Sequence, residues 1–218
     1  PLVTDCVISN NYATRGGGVF DGTYVRCRIT GNHASANGSV GRGGDVPYLY
    51  LYCCCFDGNL GSSLFYNFAA ITGCTIGPSN GGWGGGYIDF SVSGTIKDSL
   101  LLSVGTSANM TLVGCAYLNT AVWGAGSTFT GCISGGTGDF AIKASGAPVV
   151  GANLAIDAGD AALWPTNICG MTDLAGNQRV MNGRMDIGAF EADWRPRYAA
   201  DLALRDLVVH TVAEKPYE

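Results

Sequence analysis

Four aspartates, Asp21, Asp45, Asp57 and Asp89, are the first residues whose type suggests chemistry. Glycoside hydrolysis needs two carboxylates flanking the bond to be cut. Asp21, Asp45 and Asp57 fall in neighbouring units of a repeat and could meet on one side of it, though at different distances from the cysteines that mark the repeat, with Asp89 further on. Against this, residues 60–137 carry only Asp89, Lys97 and Asp98 as charges, so an acid cluster is hard to assemble there. The two histidines, His33 and His210, lie far apart, and neither a G-x-S-x-G nor an H-E-x-x-H motif occurs. A second acidic group is denser: Asp157, Asp160, Asp173, Asp186, Glu191 and Asp193 crowd one late stretch. Asp157, Asp160 and Asp173 are candidate calcium ligands, because hard cations take clustered oxygens. The competing expectation is structural: Arg179 and Arg184 lie among these acids, and buried charges are normally paired. Aromatic residues suggest binding instead. Trp83, Tyr87 and Trp123 sit in glycine-rich surroundings, where exposed rings can stack on sugars at low entropic cost. Tyr48, Tyr50 and Tyr52 alternate along one strand, and the register of Cys54 turns them inward unless a corner intervenes.

Such residues need a frame, and the cysteines supply it. Cys6, Cys27, Cys54, Cys74, Cys115 and Cys132, with Ser99 filling one place, recur about every 21 residues, a period that signals a solenoid. Around Cys27, Val25 and Ile29 share its face while Arg26 and Arg28 take the other, which is the period of a strand. No L-x-x-L-x-L frame is present, and the glycine content opposes helical repeats. The reading is a right-handed parallel β-helix of about seven rungs, all-β, with one thiol per rung packed inside as a small hydrophobe. Neighbouring-rung cysteines fall within disulfide range. Cys53, Cys54 and Cys55 are adjacent and alternate in direction, which suits one metal poorly. Asn11, Asn32 and Asn59 follow the cysteine strands, fit corners and could form a ladder. Residues beyond the period, at 33–42 and 78–86, are expected to project as loops.

Composition agrees. Among 218 residues, glycine numbers 34 and charged residues only 13%. The net charge of -5 excludes a basic nucleic-acid footprint, and no apolar run approaches the ~20 residues of a membrane span. Nine cysteines cannot all pair within one chain. The chain begins at Pro1 with strand-like residues, as a piece of a longer protein would, so it carries no mark of location. Rungs are expected over 1–150, a C-terminal cap or anchor-associated segment over 151–195, and a tail or the start of a following domain over 196–218. A terminal unit of atypical sequence would cover the open end of the coil.

The late stretch contains Ala155-Ile156-Asp157-Ala158-Gly159-Asp160, then Asp173-Leu174-Ala175-Gly176-Asn177-Gln178-Arg179, then Asp186-Ile187-Gly188-Ala189-Phe190-Glu191. In that order these resemble the end of bacterial β-helix surface proteins of the choice-of-anchor Q type. The rung text at 9–19 is also similar to repeats of polymorphic outer-membrane proteins. The resemblance implies a secreted or surface-anchored protein with no settled activity. The expected function is a non-catalytic extracellular structural or adhesive module. Its expected partners are a polysaccharide or neighbouring protein chains, including copies stacked end to end, with no cofactor unless calcium. The alternative is a polysaccharide lyase or hydrolase of the β-helix type using Asp21, Asp45, Asp57 or Asp89.

Overall fold

A computed structural model describes residues 1–35, 38–43, 48–61, 63–77, 94–102, 106, 108–180 and 183–192. The chain is a parallel β-helix. One seven-stranded sheet is built from Leu2–Thr4, Gly22–Val25, Leu49–Tyr52, Ala70–Thr72, Gly94–Lys97, Met110–Val113 and Thr128–Thr130. A second holds Val7–Ser9, Arg28–Thr30, Cys55–Asp57, Thr75–Ile76, Leu100–Leu101, Ala116–Leu118 and Ile133–Gly135. A third, of Val19–Phe20, Ser39–Arg42 and Ser63–Tyr66, closes the other side of the early coils. Every pairing within these sheets is parallel, and each strand pairs with its equivalent in the next coil. Ser39–Arg42 is thus a rung strand and not part of a projecting loop, while residues 78–86 fall outside the described residues.

The interior follows from alternation. Tyr24, Leu51, Ile71, Ile96 and Leu112 stack in register from the first sheet, and Ile29, Phe56, Ile76 and Leu101 from the second. All are buried. Between the two sheets the chain turns on one residue with left-handed backbone. Asp5, Arg26, Cys53, Gly73, Asp98, Gly114 and Gly131 hold this place, with φ between 43° and 64°. The ladder cysteine or serine follows immediately.

At that corner the strand ladder is interrupted, and the side chain takes over its bonding. Cys27 N–H donates to Cys54 Sγ at 3.4 Å, Cys54 N–H to Cys74 Sγ at 3.4 Å and Cys74 N–H to Ser99 Oγ at 3.1 Å. Each of these side chains in turn donates to the carbonyl two residues back. Burial pushes the Cys54 and Cys115 thiols well above their ordinary range, so they stay neutral. The corner after the second sheet uses asparagine. Asn11 N–H and Nδ2 donate to Asn32 Oδ1 at 3.1 and 2.9 Å, and Asn32 N–H donates to Asn59 Oδ1 at 2.9 Å. The left-handed residue here is the one before, Asn10, Gly31 or Gly58, rather than the ladder asparagine itself.

After the last rung the chain reverses. Phe140–Ile142 and Pro148–Asn153 form an antiparallel pair, and residues 154–180 and 183–192 continue along the side of the rod. They touch it at Arg26, Cys53, Thr75, Asp98 and Gly114. The segment expected to cap the open end therefore lies along the flank. The reason is the outer face of the second sheet: its register column runs Cys55, Thr75, Leu100, Ala116 and Ile133, too apolar to face water. Phe140, Ala155, Ile187, Ala189 and Phe190 cover it.

Asn32 is fully buried and holds both neighbours of its ladder as well as the Ile8 carbonyl. Replacing it with alanine strands these groups, and each buried polar group left unpaired costs about 1–3 kcal/mol. Asn32→Ala is expected to lower stability by at least about 2 kcal/mol in urea unfolding, with Asn119→Ala, an exposed control, close to wild type.

Candidate functional site

Of the carboxylates proposed for catalysis, the two among the described residues, Asp21 and Asp57, stand at different corners. Asp21 is a left-handed corner residue before the first sheet (φ 46°). Asp57 pairs with Thr30 at the end of a second-sheet strand, at a different corner of the coil. Asp45 and Asp89 lie outside the described residues.

The late acidic residues form a lock. Asp173 is buried, and its carboxylate accepts the N–H groups of Ala175, Asn177 and Glu191 at 2.7–2.9 Å. Asp160 caps the N–H of Ala162 at 2.9 Å, and Asp157 lies 3.8 Å from Arg184. With their oxygens turned to these separate tasks, Asp157, Asp160 and Asp173 do not make the calcium cluster the sequence suggested. No group of three or more metal-ligating side chains occurs among the described residues.

At the centre of the lock is Arg179, fully buried and stacked 4.1 Å from the centre of the Trp164 ring. It donates to Glu191 at 2.7 Å, to the carbonyls of Asp186 and Gly188 at 2.6 Å, and to Asp98 on the rod at 3.4 Å. Asp186 accepts N–H groups from Asp157 and Ala192 at 2.8 and 2.6 Å. Burial raises the carboxyls of both Asp98 and Glu191 to about 8; the Arg179 cation opposes this but does not overcome it. Trp164 reaches the rod through Gly73, where a Cβ would sit 2.6 Å from the ring.

Cysteine chemistry also differs from expectation. The three adjacent thiols take three directions. Cys54 joins the inner ladder, Cys55 is buried beneath Ala189 and Phe190, and Cys53 at the corner bonds Cys169 of the flank. The disulfide thus joins rod to flank rather than neighbouring rungs. It closes a chain segment 116 residues long, which in a chain-entropy account stabilises by about 4–5 kcal/mol.

Of the aromatic candidates, Trp83 and Tyr87 lie outside the described residues. Trp123 is half-buried and packs edge-on to Tyr117 and Phe129 at 5.7 and 5.8 Å, closing the last coil, so its ring is partly used in packing. Tyr48, Tyr50 and Tyr52 behave in the opposite way. The corner at Cys53 intervenes, Leu49 and Leu51 point inward, and the tyrosines lie on the outer side, Tyr48 exposed, Tyr50 half-buried and Tyr52 packed against the flank cluster of Val25, Trp164, Cys169 and Met185. Tyr50 and Tyr52 stack at 6.4 Å with rings 7° apart, and Tyr48 meets Tyr50 edge-on at 5.8 Å.

Sequence reasoning missed one further feature. Where the flank meets the first two coils there is a cleft of about 260 Å³. Arg26, Arg28, Asp5 and Cys6 line the rod side, and Leu174 and Phe190 the flank side. The alternation Arg26–Cys27–Arg28 was the available signal: it marks two outward cations within an acidic chain. Comparison with family models, curated proteins and solved structures finds no match to this chain.

Two outcomes follow from the lock. Arg179→Met removes the donor that holds Glu191, Asp98 and the carbonyls of Asp186 and Gly188, and each buried polar group left unpaired costs about 1–3 kcal/mol; thermal unfolding should register that loss. The second concerns pH. Asp98 and Glu191 titrate near 8 when folded and near 4 when unfolded. Between these values the folded state holds more protons than the unfolded, so stability falls as pH rises. The melting temperature is expected to drop from pH 6 to pH 9, and Asp98→Asn should flatten that slope.

Proposed function

We propose that this chain is a non-catalytic, extracellular β-helix module that binds glycan. The observation carrying this reading is the outward rank of Tyr48, Tyr50 and Tyr52 on the first sheet. The Tyr48 ring, exposed and edge-on to Tyr50, offers an aromatic surface suited to the apolar face of a sugar ring, and a two-torsion side chain loses little entropy on contact. In register with Tyr50 run Thr23, Ala70, Thr95 and Thr111, a neutral column offering hydroxyls beside the rings. The separation of Asp21 from Asp57 favours binding over cleavage. An oxidising, extracytoplasmic setting is supported by the Cys53–Cys169 disulfide. Trp83 and Tyr87 remain further candidate contacts on the same reading, and neighbouring chains stacking on the open strand edges remain candidate partners.

A polysaccharide array probed with calcium and with chelator, with product release followed alongside, tests this. Selective binding without cleavage is the expected result, and Tyr50→Ala should weaken it about tenfold, the loss of about 1.4 kcal/mol. Released products would overturn the non-catalytic reading, and a blank array would overturn glycan binding.

A further inference from the structure

We infer that the cleft between the flank and the first two coils is a carboxylate-binding subsite, taking a uronic acid residue of an acidic glycan. The inference rests on the glycan-binding reading but concerns different residues from the tyrosine rank.

Two guanidiniums stand in the cleft in fixed positions. Arg26 is held by Asp5 Oδ1 at 2.7 Å, by the carbonyls of Cys169 and Thr172 at 3.4 and 3.2 Å, and by the Thr172 hydroxyl at 2.5 Å. These bonds use its Nε and Nη1, and its Nη2 has no partner among the described residues. Arg28 lies over the Phe190 ring at 5.5 Å and gives Nη2 to the Ser145 carbonyl, with Nε and Nη1 unpartnered among the described residues. Donors already fixed by the protein lose little entropy on taking a ligand, and a planar guanidinium matches a carboxylate in fork geometry. Val7, Leu174, Ala175 and Phe190 give the cleft an apolar wall beside Asp5, Cys6 and Ser145, so a charged group on an otherwise apolar ring face fits better than a free inorganic anion.

One group opposes an anion. Asp5 is mostly exposed, and only its Oδ1 is bonded to Arg26. Two cations against one carboxylate leave the cleft positive, on a chain whose net charge is -5. Asp5 is also a left-handed corner residue (φ 52°), a conformation asparagine tolerates. Asp5→Asn therefore removes the repulsion while keeping the corner.

Cys6 provides the readout, because its exposed free thiol lines the same cleft. The experiment follows the rate of Cys6 alkylation by mass spectrometry, with digalacturonate and with the neutral disaccharide of the same linkage. Digalacturonate should slow alkylation severalfold and the neutral sugar should not. Arg28→Gln should abolish protection, and Asp5→Asn should give protection at lower digalacturonate. Arg28→Gln could instead disturb the flank, so its melting is measured and the Asp5→Asn arm, which predicts a gain, stands independently. Equal protection by the neutral sugar, no protection at all, or Asp5→Asn without gain would each overturn the inference. So would protection by acetate, phosphate or an acidic peptide that matches digalacturonate. An array response to neutral glycans with Cys6 unprotected would remove the cleft and leave the broader reading standing; Cys6 protection that Tyr50→Ala leaves unchanged, with no array response, would do the reverse.

Discussion

The corner between the first and second sheets governs this structure. A parallel coil needs a sharp turn at the same place in every rung, and one left-handed residue makes it. That turn leaves the next N–H outside the regular ladder, buried, where an unpaired donor is costly. A thiol or hydroxyl on the following residue accepts the N–H from the adjoining coil and donates to a carbonyl of its own strand. Few side chains are small enough for the interior and able to do both. Cysteine does so at little polar cost, and Ser99 does it with shorter bonds in the one coil that lacks the thiol. The repeating cysteine is thus a corner residue first, and its redox chemistry is incidental.

The same corners decide how the flank is attached. Successive rungs present a different device at the same place in the coil. The Cys53 corner forms the disulfide, the Gly73 corner receives Trp164, the Asp98 corner enters the buried ion pair, and the Gly114 corner receives Leu163. Left-handed backbone points these positions outward, so whatever side chain stands there meets the flank. Where the bulky Trp164 arrives the corner is glycine, since a Cβ at Gly73 would come within 2.6 Å of its ring. At the remaining corners the side chain itself makes the attachment. Arg26 continues the series at the next corner, bonding the carbonyls of Cys169 and Thr172.

The coil was legible in the sequence because its determinants are local. Period, the inward pair Cys27 and Ile29 and the recurrence of Asn11, Asn32 and Asn59 all report neighbours one rung away; Val25, expected on the face of Cys27, instead lies in the outer column with Tyr52, because the left-handed Arg26 resets the register. The pairing of the late acids with arginine was legible for a related reason: a dense group of buried carboxylates needs cations nearby. The direction of the last segment was not. Its position depends on the apolar outer column of the second sheet, and alternation alone treats that face as solvent-exposed. The tyrosine rank was misread through one residue. Period-two counting from Cys54 passes through Cys53 as if it were strand, whereas its left-handed turn resets the register and sends Tyr50 and Tyr52 outward. The cleft depends on contacts more than a hundred residues apart, Arg28 with Ser145 among them, which no local pattern encodes.

Covering one face leaves the coil asymmetric, and that asymmetry determines where a partner can approach. The second sheet is occupied by its own chain from Phe140 onward. The first sheet keeps an outer column of Thr23, Tyr50, Ala70, Thr95, Thr111 and Thr128, neutral along its whole length and increasingly exposed toward the last rung. On the glycan-binding proposal, a chain of sugar rings would meet aromatic and hydroxyl groups there at the rung spacing of about 4.8 Å, with exposed Lys97 in the adjoining outer column. Cationic groups are instead concentrated at the seam, where Arg26 and Arg28 are fixed by the flank that the disulfide holds in place. The flank that protects the apolar sheet therefore also assembles this positively charged recess, so stability of the seam and the carboxylate binding proposed for it depend on the same contacts.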